Sequence, residues 1–110
     1  MKLNEYQDVA EATAIYPEDV AVTYTTLGLV GEAGEVAEKV KKIMRSGRSL
    51  LDMTDKENLE IAKELGDVLW YAANLAGDLG YTLEDIAHLN LKKLASRQAR
   101  GVLEGNGDNR

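Results

Sequence analysis

Apolar residues recur along this chain at intervals of three and four, and no segment alternates convincingly with period two. That rhythm belongs to helices, whose turn of about 3.6 residues gathers such positions on one face. The longest patterned stretch puts Leu29, Ala33, Val36, Ala37, Val40, Ile43 and Met44 on one apolar arc. Another puts Ile61, Leu65, Val68, Leu69, Ala72, Leu75, Ala76 and Leu79 on a second. A third, shorter arc holds Leu83, Ala87, Leu91, Leu94 and Ala95.

Signals between these arcs set the element boundaries. The first helix is expected from about Asn4, taken as its N-cap, to about Ile15, where Tyr16 and Pro17 end it. The second runs from about Val22 to Arg45 and stops at Ser46 and Gly47, with a loop over Arg48 to Met53. Thr54 and Glu57 have capping-box spacing and open a third helix that continues to about Leu79, before Gly80. Thr82 and Asp85 give a weaker signal of the same kind for a fourth helix ending near Arg100, and Gly101 to Arg110 reads as irregular. The expectation is therefore an all-α, four-helix, bundle-like domain spanning residues 1–110, with no internal boundary.

Composition narrows the function classes. With 110 residues the private core is small, which makes self-association a natural remedy. A formal charge of -6 argues against a general nucleic-acid surface, because phosphate backbones are gripped by Lys and Arg. Cysteine is absent, so neither a disulfide framework nor a thiolate metal site is available. Residues Met1 to Glu5 carry no apolar signal core and no apolar run reaches membrane-spanning length, so a cytoplasmic protein without membrane attachment is expected.

The candidate chemistry lies along the edges of the arcs. Acid, any residue, glycine, acid, valine occurs twice, as Glu32 to Val36 and Glu64 to Val68. Residues three apart on a helix are neighbours, so each copy offers two carboxylates side by side. Glu32 lies at one border of its arc with Glu35 about 60° beyond, and Glu64 and Asp67 repeat the layout. Acids at helical spacing are ordinarily a solvated face, but two equivalent borders can meet along one cleft. Four carboxylates so gathered call for a divalent cation. Oxygen ligands without His or Cys suit Mg²⁺, with Mn²⁺ as a substitute, and the one histidine, His88, lies outside both acidic helices. Mid-helix Gly34 and Gly66 each cost about 1 kcal/mol relative to alanine. Close helix approach or a subunit contact would offset that.

The fourth helix carries the opposite charge on its border, at Asn90, Lys93, Arg97 and Arg100. Basic residues near a helix C-terminus commonly just complement the dipole. Beside a metal-binding acid cluster, they would complete a triphosphate site. Lys39, four residues after Glu35, is expected either to contact phosphate or to pair with Glu35. Tyr71 and Asn74 extend the acidic border of the third helix toward a base or sugar, with core packing the stronger expectation for Tyr71. The tail from Gly105 to Arg110 is expected to fray rather than form a phosphate nest, and Gly28, Gly31 and Gly34 lack Walker-loop spacing.

The segment Gly31 to Glu38, followed by Glu64 to Leu69, resembles the Glu-x-x-Glu and Glu-x-x-Asp signature of the MazG-like nucleoside triphosphate pyrophosphohydrolases. Lys93 to Gly101 is similar to the basic helix of the short, single-domain members. The resemblance implies an all-α hydrolase that converts a nucleoside triphosphate, often a deoxynucleotide, to monophosphate and pyrophosphate. It implies Glu32, Glu35, Glu64 and Asp67 as metal ligands, and a dimer or a dimer of dimers. Glu35 or Glu38 is open as the acceptor of the attacking water's proton. Two rivals stand beside this: a phosphoribosyl-ATP pyrophosphohydrolase of histidine biosynthesis, and a non-catalytic helical interaction protein whose acidic stripes are only solvated.

Overall fold

The computed structural model describes residues 1–110 and contains four α-helices and no strand: α1 (Leu3–Glu11), α2 (Ala21–Arg45), α3 (Asp55–Asp78) and α4 (Leu83–Arg100). Short 3-10 turns at Glu18–Val20 and Leu50–Asp52 precede α2 and α3. The all-α, four-helix expectation is met.

Boundaries follow local chemistry. At the start of α3 the Thr54 hydroxyl accepts from the Glu57 amide at 3.1 Å while Glu57 accepts from the Thr54 amide at 3.0 Å, a complete capping box. Thr82 and Asp85 make the same reciprocal pair at α4. Gly80 (φ 84) and Gly101 (φ 70) take left-handed conformations that close α3 and α4, with Tyr81 N donating to Ala76 O and Val102 N to Arg97 O. α1 is shorter than expected and ends at Glu11, because Thr13 donates its hydroxyl back to Ala10 O at 2.8 Å and breaks the ladder.

Asn4 does not cap α1, whose N-cap position is Lys2. Its side chain caps α4 instead, accepting from Glu84 N at 3.1 Å and donating to Glu84 Oε2 at 3.2 Å. Buried Gln7 works beside it, accepting from Leu83 N at 2.8 Å and donating to Ala73 O and Tyr81 O at 3.1 Å. Two polar side chains of α1 thus satisfy orphan amides of α4 and tie three helices together.

α2 and α3 form a long hairpin, the dominant packing in the chain, while α4 touches α1 and α3 and makes no contact with α2. The seam of the hairpin shares Leu29, Val36, Val40 and Ile43 of α2 and Ile61, Val68, Ala72, Leu75 and Ala76 of α3 with the apolar arcs read from the sequence, but it is rotated toward the acidic borders. On α2 the covered positions are Ala21, Thr25, Gly28, Leu29, Glu32, Val36, Lys39, Val40 and Ile43, whereas Ala33, Ala37 and Met44 are exposed. On α3 Glu64 is half-buried with Ile61, Val68 and Tyr71, and Leu65 and Leu69 are exposed. The acids Glu32 and Glu64 therefore sit in the seam itself. Gly34 and Gly66 have open space where a side chain would stand, so neither provides close helix approach within the chain.

Much apolar surface remains uncovered, including Leu27, Val30, Leu65 and Leu91 at 58–67% exposure. The accessible area is 8058 Å² for 12.0 kDa, against about 6,000 Å² for a compact chain of this mass. The radius of gyration of 16.9 Å likewise exceeds the roughly 13 Å of a globular domain this long.

The clamp at the connecting loop of the hairpin gives a pH signature. Arg48 donates two 2.8 Å bonds to Glu57, which also accepts from Thr54, and these partners pull the Glu57 carboxyl from 4.5 to about 2. A depressed folded-state pKa contributes stability that is present above the unfolded value and lost as pH falls through the folded one. Urea unfolding from pH 6 down to about pH 2 should therefore show wild type losing stability relative to Glu57→Gln as pH drops below about 4.5, with the gap closing toward pH 2.

Candidate metal and nucleotide site

Antiparallel pairing of α2 with α3 brings Glu32 opposite Glu64 and Asp67. One carboxylate oxygen from each lies within 4.8 Å of the others. Glu32 and Glu64 are half-buried and Asp67 is exposed, so the cluster opens to solvent on one side. Partial burial, the negative charges of Asp67, Glu64 and Glu35, and a hydrogen bond with Glu64 hold the Glu32 carboxyl above its ordinary value. Three converging carboxylates are a donor set that a hard divalent cation would satisfy and relieve. No histidine or cysteine joins them.

The other acids take different positions. Glu35 lies one turn along α2, is exposed and stands outside the close group, near enough for its charge to act on Glu32. Glu38 is also outside the group and is held by Lys41 at 2.6 Å, which lowers its carboxyl below the ordinary value. Lys39 does not pair with Glu35. Its Nζ reaches across the seam to Glu64 Oε1 at 3.5 Å, because the seven-residue step from Glu32 to Lys39 keeps it on the seam face.

Four aromatic rings continue from the acids along the hairpin. Tyr71 packs edge-on against Trp70 at 4.9 Å and beside Tyr24 at 6.3 Å, and Tyr24 stacks on Tyr16 at 4.8 Å. Tyr71 fits because α2 has no side chain at Gly28, where a Cβ would stand 2.1 Å from the ring. Burial, contact with Tyr24 and the charges of Glu32 and Asp67 raise the Tyr71 phenol, so the ring borders the acid cluster. Asn74 is buried and donates to Trp70 O at 3.0 Å.

Beyond the rings lies a cleft of about 660 Å³ between α1 and the hairpin, lined in part by Gln7, Tyr16, Asn74 and Asp78. Asp78 Oδ2 accepts from Tyr16 and from buried Thr25, each at 3.2 Å. Burial and Asp78 push the Tyr16 phenol up to about 12. Thr25 is two turns before Glu32, and Asn74 and Asp78 are two and three turns after Asp67. Cleft and acids thus share one face of the hairpin, roughly 10–15 Å apart along its axis. For Thr25 and Asp78 the helical multiples separating them from Glu32 and Asp67 are a signal present in the sequence, whereas Gln7 and Tyr16 lie outside α2 and α3 and no such spacing points to them.

Residues 21–102 match the MazG nucleotide pyrophosphohydrolase domain. The chain belongs to the MazG nucleotide pyrophosphohydrolase family. It is 46% identical to the Gene 37 protein of Mycobacterium phage L5, with the full length of both chains covered. No solved structure matches.

The basic border of this MazG-family chain does not meet its acids. Within one chain α4 stands apart from α2. Lys93 and Arg97 turn to Asp108 at 2.7 and 3.0 Å, Arg100 bonds Ser96 and Arg110 O, and Asn90 is exposed. The expected fraying of the tail is also not seen, since residues 101–110 fold against α4 through these contacts. No helix is long and apolar enough to cross a membrane.

Gly28 offers a direct check on the Tyr71 arrangement. Gly28→Ala gains about 1 kcal/mol in helix propensity but must displace the ring, an overpacking cost of about 1–3 kcal/mol. Net destabilisation is expected in urea unfolding, and the Tyr71→Ala background should turn it into a gain.

Proposed function

We propose that this chain is a single catalytic unit, residues 1–110, that hydrolyses nucleoside triphosphates, deoxynucleotides foremost, to monophosphate and pyrophosphate in the cytoplasm, with Mg²⁺ held by its acids and Mn²⁺ as a substitute. The observation that carries the reading is the convergence of Glu32, Glu64 and Asp67 within 4.8 Å in a chain of this family. When bound, the cation would lower the pKa of a water and screen phosphate charge.

The chain's own residues supply the rest. Glu35 takes the proton of the attacking water; its exposure, free of the close group, supports this over Glu38, which Lys41 engages. Lys39 now neutralises Glu64 and swings to phosphate when a cation takes that role. Tyr71 and Asn74 line the way from the acids to the cleft, whose volume of about 660 Å³ is in the range of small-molecule sites and would receive sugar and base.

Asn90, Lys93, Arg97 and Arg100 contact phosphates across a subunit interface, in a homodimer or a dimer of dimers. Two observations support the second copy: α4 lacks contact with α2, and the chain exposes about 2,000 Å² more than a compact one, as obligate interfaces require.

Two experiments test this. Pyrophosphate and monophosphate release should be Mg²⁺-dependent across a panel of canonical and damaged triphosphates that includes phosphoribosyl-ATP, and Asp67→Asn should lower kcat by at least about a hundredfold with the fold intact by circular dichroism. Absence of turnover on every triphosphate would sink the assignment. For the subunit arrangement, Asp67→Asn and Lys93→Ala protomers, each inactive alone, should regain roughly a quarter of wild-type turnover when refolded together, since only mixed dimers then hold one complete site. No regain would place both groups on one protomer.

A further inference from the structure

The last ten residues form a closed loop on α4. Gly101 turns the chain with φ 70 and Gly107 turns it again with φ 80. Arg110 fastens the loop from within, donating Nε to Val102 O at 2.9 Å, Nη1 to Gly107 O at 2.6 Å and Nη2 to Leu103 O at 3.1 Å. Arg100 Nη2 donates to Arg110 O at 2.6 Å. The loop presents Asp108 to the basic border, where a single oxygen, Oδ1, accepts from Lys93 Nζ at 2.7 Å and from Arg97 Nη2 at 3.0 Å.

The two sides of this contact are built differently. Arg97 is 6% exposed, and its Nε is buried with no hydrogen-bond partner. The Asp108 side chain is 77% exposed. A guanidinium recognises an oxyanion best through two parallel donors. Asp108 engages only Nη2, so the cradle is occupied but not saturated. The same Nη2 also donates to the carbonyls of Asp108 at 3.1 Å and Gly107 at 3.5 Å. A phosphate group, with more oxygens and more charge, can replace these acceptors and use what the carboxylate leaves unmet, and the Asp108 side chain faces mostly solvent.

We propose that residues 105–110 are a tethered acidic plug: Asp108 rests in the anion cradle of Lys93 and Arg97, and a substrate phosphate must displace it to bind. This rests on the reading that these two cations receive phosphate. The tail then sets the substrate concentration at which the cradle fills, without touching the reacting atoms.

The test is calorimetric titration with inorganic tripolyphosphate, which needs no turnover. Asp108→Asn and deletion of residues 105–110 should each tighten binding by about threefold, the size of a competing surface ion pair. Glu104→Gln, which removes one charge nearby, should not. The gain should vanish in Lys93→Ala/Asp108→Asn. Unchanged or weaker binding in both tail variants, or no binding in any variant, overturns the plug. In steady-state assays the same two variants should lower KM with kcat unchanged. Loss of the pyrophosphohydrolase reading alone would instead appear as absent turnover with the tripolyphosphate gain intact.

Discussion

Everything distinctive here depends on placing two carboxylates, Glu32 and Glu64, inside the seam of the α2/α3 hairpin. Helix pairs normally fill such a seam with apolar side chains, and like charges there repel in a medium less polar than water. The chain tolerates them, and the further negative charge of Asp67, because the cluster opens to solvent on one side and because Lys39 reaches Glu64 from the same face. A divalent cation at the cluster would relieve that repulsion. The site is therefore part of the packing rather than an addition to it.

That choice propagates outward. With acids on the inner face, the apolar positions Leu27, Val30, Leu65 and Leu69 point away from the hairpin and stay uncovered. The short α1 cannot shield them and instead serves as a polar strut, with Asn4 and Gln7 holding the start of α4. α4 is thus fixed at its N-terminal end, where Leu83 is buried, while the later members of its apolar stripe, Leu91 and Leu94, are exposed. These surfaces are left without cover by any element of the chain itself.

The aromatic run from Tyr71 to Tyr16 links the cluster to the cleft by a different kind of interaction. Ring packing on a residue without a side chain, Gly28, lets Tyr71 sit against α2 beside the acids. Asp78, shared by Tyr16 and Thr25, secures the far end. The helix hairpin therefore offers a charged end and an aromatic, hydrogen-bonding end on one face, matching the two halves of a nucleotide.

The sequence by itself determined the number and type of elements, both capping boxes, the helix stops at Gly80 and Gly101, and the spacing that makes Glu32, Glu64 and Asp67 a set. These are short-range properties, decided by hydrogen bonds and geometry within a turn or two. Only the tertiary structure decided which side of each helix is the seam, that Lys39 meets Glu64, that Asn4 caps another helix and that Lys93 and Arg97 hold Asp108. A helical wheel gives angles about one axis, and on a chain with more apolar surface than it can bury alone it does not say which stripe a neighbour will cover. Those contacts join residues far apart in sequence, so their partners become definite only when the helices are packed.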